Sequence, residues 1–400
     1  MNNLPILDSE GMPRRVRVLL VDDQRMVGEA VRRMLQEEDG LDFKYCQNPE
    51  EAITVAEEFR PTVILQDLVM PGIDGLSLVE IYKANDILKH VPAIVLSSQE
   101  DPMVKAESFA RGANDYLVKL PDRIELVARI RHHSEGYIHL LERNAAFHAL
   151  AESQRVLAAE LAEAADYVRS LLPAPIEGEV TIRWDFESCS SVGGDSFGYR
   201  WLDDENLIIY LLDVCGHGVG AALLSVSVMN ALSGNTLGEA DFRHPGEVLR
   251  RLNDVFEMER HNNMYFTMWF GVYNRQSKQL RFASGGHPPA LLFKAGETDP
   301  QRLVTPALPV GTMPGLEFKE GTVQIDADDR LYVYSDGVYE VRYEDGHEMT
   351  LDEFVPMLSK PLDAGPDGLR SIRNTVAAIQ RSEIFDDDFS LVEISFQGRL

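Results

Sequence analysis

The stretch "NLIIYLLDVCGHGVG", Asn206 to Gly220, decides how the second half of this 400-residue chain is read. Its apolar run suits a strand buried on both faces, and it stops abruptly at Asp213. A bend with glycines at 216, 218 and 220 follows, and then the helical pattern "GAALLSVSVMNALS". Asp213 is either a turn former leading into that helix or a metal ligand held at the mouth of a sheet. A single Asp at such a place is more often the turn former, so its partners decide. "LYVYSDGVYE" puts Asp336 at a strand end before a glycine, and "IFDDDFSLVEI" puts Asp386, Asp387 and Asp388 directly ahead of the last strand. Asp195 stands in "SVGGDSFG". Hard divalent cations take oxygen ligands. Two of them sharing a water lower its pKa and aim it at phosphorus. Several such acids in one segment, each at a strand edge beside glycine or more acid, favour the metal site.

Around these acids, residues 175–400 carry seven strand-like runs, among them "VTIRWDF", "MYFTMWFGVY" and "FSLVEISF", with three helical ones set apart. That arrangement predicts an α+β layered β-sandwich. Residues 15–133 instead alternate strand and helix, with strands "RVRVLLVDD", "TVILQD", "AIVLSS" and "DYLVK". Such alternation predicts an α/β domain with a doubly wound parallel sheet, whose functional groups sit at the carboxyl ends of the strands. Asp22 and Asp23, Asp67, Ser97 and Lys119 occupy those ends. Three carboxylates at one edge repel unless a divalent cation sits among them. One can then accept a phosphoryl group while the ammonium neutralises its oxygens and Ser97 hydrogen-bonds it.

Between the two domains, residues 122–172 read as one helix of about 75 Å at 1.5 Å per residue. Leu126, His133, Leu140, Phe147, Gln154, Leu161 and Val168 recur every seven residues, as do Ile130, Tyr137, Asn144, Ala151, Ala158, Ala165 and Leu172. The pattern predicts a coiled-coil or helical-hairpin seam, or else an amphipathic helix packed on its own domain. The polar members His133, Asn144 and Gln154 favour a homodimer seam. "LLPAP" at 171–175 ends the helix. The expected organisation is therefore a flexible tail (1–14), a first domain (15–133), a helical coiled-coil linker (134–174) and a second domain (175–400).

A net charge of −27, with 65 acidic residues, argues against nucleic acid as a partner. No run is apolar enough to span a bilayer and no signal peptide is evident, so no membrane role is expected. Three scattered cysteines fit a reducing cytoplasm.

The motif "DLVMPGIDG" (67–75), with the acids and the lysine above, resembles the receiver domain of two-component response regulators, a flavodoxin-like fold. The resemblance implies phosphorylation of Asp67 by a sensor histidine kinase and Mg²⁺ held by Asp22, Asp23, Asp67 and the Val69 carbonyl. It also implies a switch pair, Ser97 and Tyr116, with Lys119 on the phosphate. Receivers usually place Pro directly after that lysine; here Leu120 intervenes. The strings "GGDSFG", "DVCGHGVGAA", "SGGHPPALL", "LPVGTMPG", "YSDGVYE" and "DDDFSLV" resemble the PPM (PP2C-like) serine/threonine phosphatases of the SpoIIE/RsbU type. That implies two Mn²⁺ or Mg²⁺ ions held by Asp213, the Val214 carbonyl, Asp336 and Asp387, with a weaker contribution from Asp195. It also implies direct attack of water on a phosphoserine or phosphothreonine, with an anti-sigma factor antagonist of the STAS type as substrate. The spacing does not make His217 or His287 a general acid. An inactive, phosphatase-like adaptor that binds a sigma factor or its regulator is the other reading, although an adaptor need not keep Asp213, Asp336 and Asp387.

Overall fold

The computed structural model describes residues 15–98, 100–189, 192–234, 237–238, 240–359, 367–382 and 385–397. The expected tail, 1–14, lies outside them. The chain divides into two compact units, Met1–Gln154 and Arg155–Leu400.

In the first unit, β1 (Val16–Val21), β2 (Leu41–Cys46), β3 (Val63–Asp67), β4 (Ala93–Ser97) and β5 (Asp115–Val118) pair in parallel in the order β2-β1-β3-β4-β5. The helices are α1 (Arg25–Leu35), α2 (Ala52–Phe59), α3 (Gly75–Ala84), α4 (Pro102–Ala110) and the long α5 (Arg123–Ser170). Sheet strands covered on both faces need apolar residues at successive positions, which is why β3 and β4 are buried from end to end. Val18, Leu20, Leu65 and Leu96 pack with Val27 and Val31 of α1 and with Leu126 and Ile130 of α5. Leu19, Val21 and Ile64 face Ala52, Ala56, Leu78 and Tyr82 of α2 and α3.

The packing of the first unit continues past residue 133 into α5. Tyr137 and Ile138 are buried in the core of the first unit, and Leu140 and Leu141 pack against it. The Ser134 hydroxyl accepts a 3.0 Å hydrogen bond from Thr62 inside the fold, and His133 meets Asp115 at 3.0 Å. The early heptad positions, His133 included, are thus spent on the domain's own core and not on a seam. Further along α5, Phe147, Leu150 and Leu157 are 63%, 55% and 56% exposed.

In the second unit β6 (Val180–Glu187), β7 (Ser196–Trp201), β8 (Asn206–Val214), α6 (Val219–Ser233), α7 (Pro245–Val255), β9 (Phe266–Asn274), β10 (Gln279–Gly285), β11 (Ala290–Phe293), β12 (Gln301–Leu303), β13 (Gly321–Gln324), β14 (Arg330–Tyr334), α8 (Leu351–Leu358), α9 (Asp367–Gln380) and β15 (Phe389–Phe396) follow in order. They build two five-stranded sheets, β13-β10-β9-β8-β7 and β12-β11-β14-β15-β6. Side chains alternate faces along a strand, and β8 uses both. Leu207, Ile209 and Leu211 enter the core between the sheets with Ile182, Leu331, Val333, Val392 and Ile394. Ile208, Tyr210, Leu212 and Val214 pack under Leu224, Val228, Leu249 and Leu252 of α6 and α7. The other sheet carries α8 and α9 on its outer face, where Tyr332, Tyr334 and Leu391 meet Phe354, Leu369 and Val376. The result is a four-layer α-β-β-α sandwich. Among the described residues no helix is long and apolar enough to cross a membrane.

Candidate functional site

The first unit gathers its polar groups at the carboxyl ends of its strands. Asp22 and Asp23 follow β1, Asp67 closes β3, Ser97 closes β4 and Lys119 follows β5. Carboxylate oxygens of Asp22, Asp23 and Asp67 lie within 4.8 Å of one another. The Lys119 ammonium reaches Asp67 Oδ1 at 2.9 Å and Asp22 Oδ2 at 3.1 Å. Burial pushes the Asp67 carboxyl up against the opposing pull of Lys119. Burial also works against the Lys119 charge, but its hydrogen bonds to Asp67 and Asp22 raise its pKa overall. One lysine does not satisfy three acids: Asp23 Oδ1 and Asp67 Oδ2 are buried without a hydrogen-bond partner. Orphaned, converging carboxylate oxygens fit a hard divalent cation. Tyr116 is buried beside Leu76 and Val79, and Ser97 is buried at the same edge. Val69 follows two residues after Asp67, its N–H 3.4 Å from Asp67 Oδ1.

Leu120 bridges Lys119 and Pro121 with φ of +54° and an exposed side chain. A left-handed conformation costs a Cβ-bearing residue about 1 kcal/mol. Leu120→Gly is therefore expected to stabilise this domain by about that amount in urea unfolding, while leaving Lys119 in place.

In the second unit the strand alternation explains where Asp213 goes. It has the parity of Leu207, Ile209 and Leu211, so it points between the sheets at the end of β8. Asp195 has the parity of Phe197 and Tyr199, which also face that core. Asp336 opens a short 3₁₀ turn after β14, and Asp387 and Asp388 precede β15. Carboxylates from both sheets thus meet at one end of the sandwich. Asp195 and Asp213 are electrostatic neighbours. Burial, then the charges of Asp336, Asp387 and Asp388, push Asp213 up to about 8. Burial, with Asp213 and Asp388, raises Asp195 well above the carboxylate range. Asp336 and Asp387 are raised as well, by burial first. Five acids acting on one another at one end of the sandwich fit cationic occupants, although among the described residues only Asp22, Asp23 and Asp67 converge within 4.8 Å as a ligand set. The Val214 carbonyl faces Gly194, beside Asp195. Gly216 and Gly218, at φ of +86° and +90°, make the bend from β8 into α6.

The two histidines separate. His217 is the basic group beside Asp387. His287 is buried, bonded through Nδ1 to the Pro288 carbonyl at 2.9 Å, and burial pulls it down to about 4. It is a neutral structural imidazole. Asp386 is exposed. Asp388 is the residue whose role sequence reading missed: it is 3% exposed and fully engaged in hydrogen bonds. Its even parity with Ser390, Val392 and Ile394 on β15 is the signal that pointed inward.

Residues 18–131 match the response regulator receiver domain, and residues 203–397 match the family described as Stage II sporulation protein E (SpoIIE). The chain joins a response-regulator receiver to a SpoIIE-type, PP2C-like phosphatase domain. Phosphoserine phosphatase RsbU of Bacillus subtilis is 26% identical over 241 residues, covering 60% of this chain and 70% of that protein. Phosphoserine phosphatase RsbP of the same organism is 28% identical, covering 42% of each. The transcriptional regulatory protein TrcR of Mycobacterium tuberculosis is 32% identical over 123 residues, 31% of this chain and 46% of that one. The SiaA-PP2C domain of Pseudomonas aeruginosa superposes with a TM-score of 0.52 at 21% identity, over 62% of this chain and the whole of that one. This last likeness is one of fold. The receiver's sheet and the sandwich of the SpoIIE-type domain are those two architectures.

Proposed function

We infer that this response regulator controls a metal-dependent protein serine/threonine phosphatase, and that phosphorylation of Asp67 by a sensor histidine kinase sets its rate. The observation that carries the reading is the meeting of Asp195, Asp213, Asp336 and Asp387 from two sheets at one end of the sandwich. Held by Asp213, the Val214 carbonyl, Asp336 and Asp387, with Asp195 behind them, two Mn²⁺ or Mg²⁺ ions would supply charge for the phosphoryl oxygens and a water of lowered pKa. The chain's own groups do the rest. Asp213 and Asp195 crowd negative charge where it can be used only by cations, and His217 lies beside Asp387. In the receiver, Asp67 would be the nucleophile, Asp22 and Asp23 would hold Mg²⁺, and Lys119 would steady the phosphoryl oxygens. Ser97 and Tyr116 relay the change. The two phosphoserine phosphatases among the relatives support a phosphoserine substrate, on an anti-sigma factor antagonist.

The stripe Phe147, Leu150, Gln154, Leu157 and Leu161, exposed except at the half-buried Leu161, follows the alternating three-and-four spacing of a two-helix seam. It supports a homodimer through residues after 141. The test is turnover of a phosphoserine protein with Mn²⁺, with and without beryllofluoride. Beryllofluoride is expected to raise turnover, and Asp67→Asn to abolish the response. Turnover unchanged or lowered by beryllofluoride rejects activation, and no metal-dependent turnover on any phosphoprotein rejects the enzyme.

A further inference from the structure

Asp387 and Asp388 are adjacent and chemically alike, yet the fold treats them differently. Asp388 Oδ1 accepts from the Cys189 N–H at 2.9 Å and from the Ser188 hydroxyl at 3.2 Å. Its Oδ2 accepts from the Gly194 N–H at 2.6 Å and the Asp195 N–H at 3.0 Å. A carboxylate offers about four lone-pair directions, so Asp388 has none left for a cation. Its four donors come from the end of β6, in one sheet, and from the residues leading into β7, in the other. Two residues on, the Ser390 hydroxyl donates to Asp195 Oδ2 at 2.6 Å. The Ser390 N–H donates to the Ser335 hydroxyl at 3.2 Å, and that hydroxyl donates to the Asp388 carbonyl at 2.9 Å. Asp195 is thereby held at its backbone by Asp388 and at its side chain by Ser390, with 2% of it exposed.

We propose that Asp388 and Ser390 are positioning residues of the phosphatase site, which hold the Asp195 carboxylate against Asp213 without themselves touching cation or substrate. The proposal rests on the phosphatase reading above. Partners that orient a metal site's acids typically change cation affinity by ~10–100-fold when removed.

The test is calorimetric titration of Mn²⁺ into the full chain carrying Asp23→Ala, so that the receiver's acids take up little cation. Ser390→Ala is expected to weaken Mn²⁺ binding by ~10-fold or more, with Ser390→Thr restoring it and the unfolding midpoint in EDTA unmoved. Asp388→Asn, which turns an amide N–H₂ or a single oxygen toward four donors, is expected to weaken binding too and to lower that midpoint. Ser390→Ala with parental Mn²⁺ affinity overturns the positioning role alone. Absence of Mn²⁺ uptake by the parent overturns both this role and the phosphatase reading.

Discussion

Asp213→Asn is expected to lower metal-dependent turnover by about 10³-fold or more, since the proposed site would lose a carboxylate that holds its cations and with it several kcal/mol of charge stabilisation. The same substitution is expected to stabilise the metal-stripped protein. Asp213 sits at the centre of an acid cluster, where burial and the charges of Asp336, Asp387 and Asp388 push it up to about 8. An unfolded Asp titrates near 3.9. Between about pH 4 and pH 8 the folded state therefore holds a proton that the unfolded state has released, and stability falls as pH rises through that window. In EDTA the parent should unfold at lower urea at pH 8 than at pH 5, and Asp213→Asn should flatten that slope. Saturating Mn²⁺ should restore the parent at pH 8 by binding the folded state alone, and should do far less for the variant. A variant less stable than the parent at pH 8 in EDTA would show that Asp213 does something other than crowd charge.

How much of this was legible in the sequence depends on the distance over which each feature is decided. The β8 run ending in Asp213 is local: an apolar strand with both faces buried has one carboxylate at its tip, and parity sends it inward with Leu211. The receiver's acids were legible for the same reason, each following its own strand. The early heptads left two readings open, because a helix packed on a sheet repeats apolar residues at nearly the spacing of a helix packed on a partner. Leu126, Ile130 and Tyr137 belong to the first case. Asp387 and Asp388 could not be told apart by residue type, since what distinguishes them is a set of donors at 188–195, about two hundred residues away in sequence. The glycine at 198 also has a tertiary cause. The Tyr210 ring, stacked on Phe270, lies where a side chain at 198 would go.

The second large effect is expected at Gly75→Ala, in the receiver. Gly75 opens α3, with its N–H on the Leu68 carbonyl at 3.1 Å and Asp74 capping the helix through the Ser77 N–H at 3.2 Å. A Cβ there would overlap the backbone carbonyl oxygen of Asp67 and approach the Leu68 Cα to 2.9 Å. No rotamer change relieves a clash between two backbones, so either α3 moves away from the sheet or the Asp67 peptide shifts. The cost is put at about 3 kcal/mol or more, the upper range for overpacking a core. Because the displaced peptide belongs to Asp67, the proposed phosphoacceptor, its labelling by a small phosphodonor should be lost as well. Gly72 is the control. It sits in the same "MPGIDG" turn at φ of +87°, with open space around it. Gly72→Ala should cost only about 1 kcal/mol for the left-handed backbone and should still accept phosphate. The Asp23→Ala background assigns the two transitions, because the receiver's should then lose its response to Mn²⁺ while the other domain's keeps it. Equal losses at Gly75 and Gly72 would mean that turn conformation, and not the close approach of α3 to Asp67, sets the requirement for glycine.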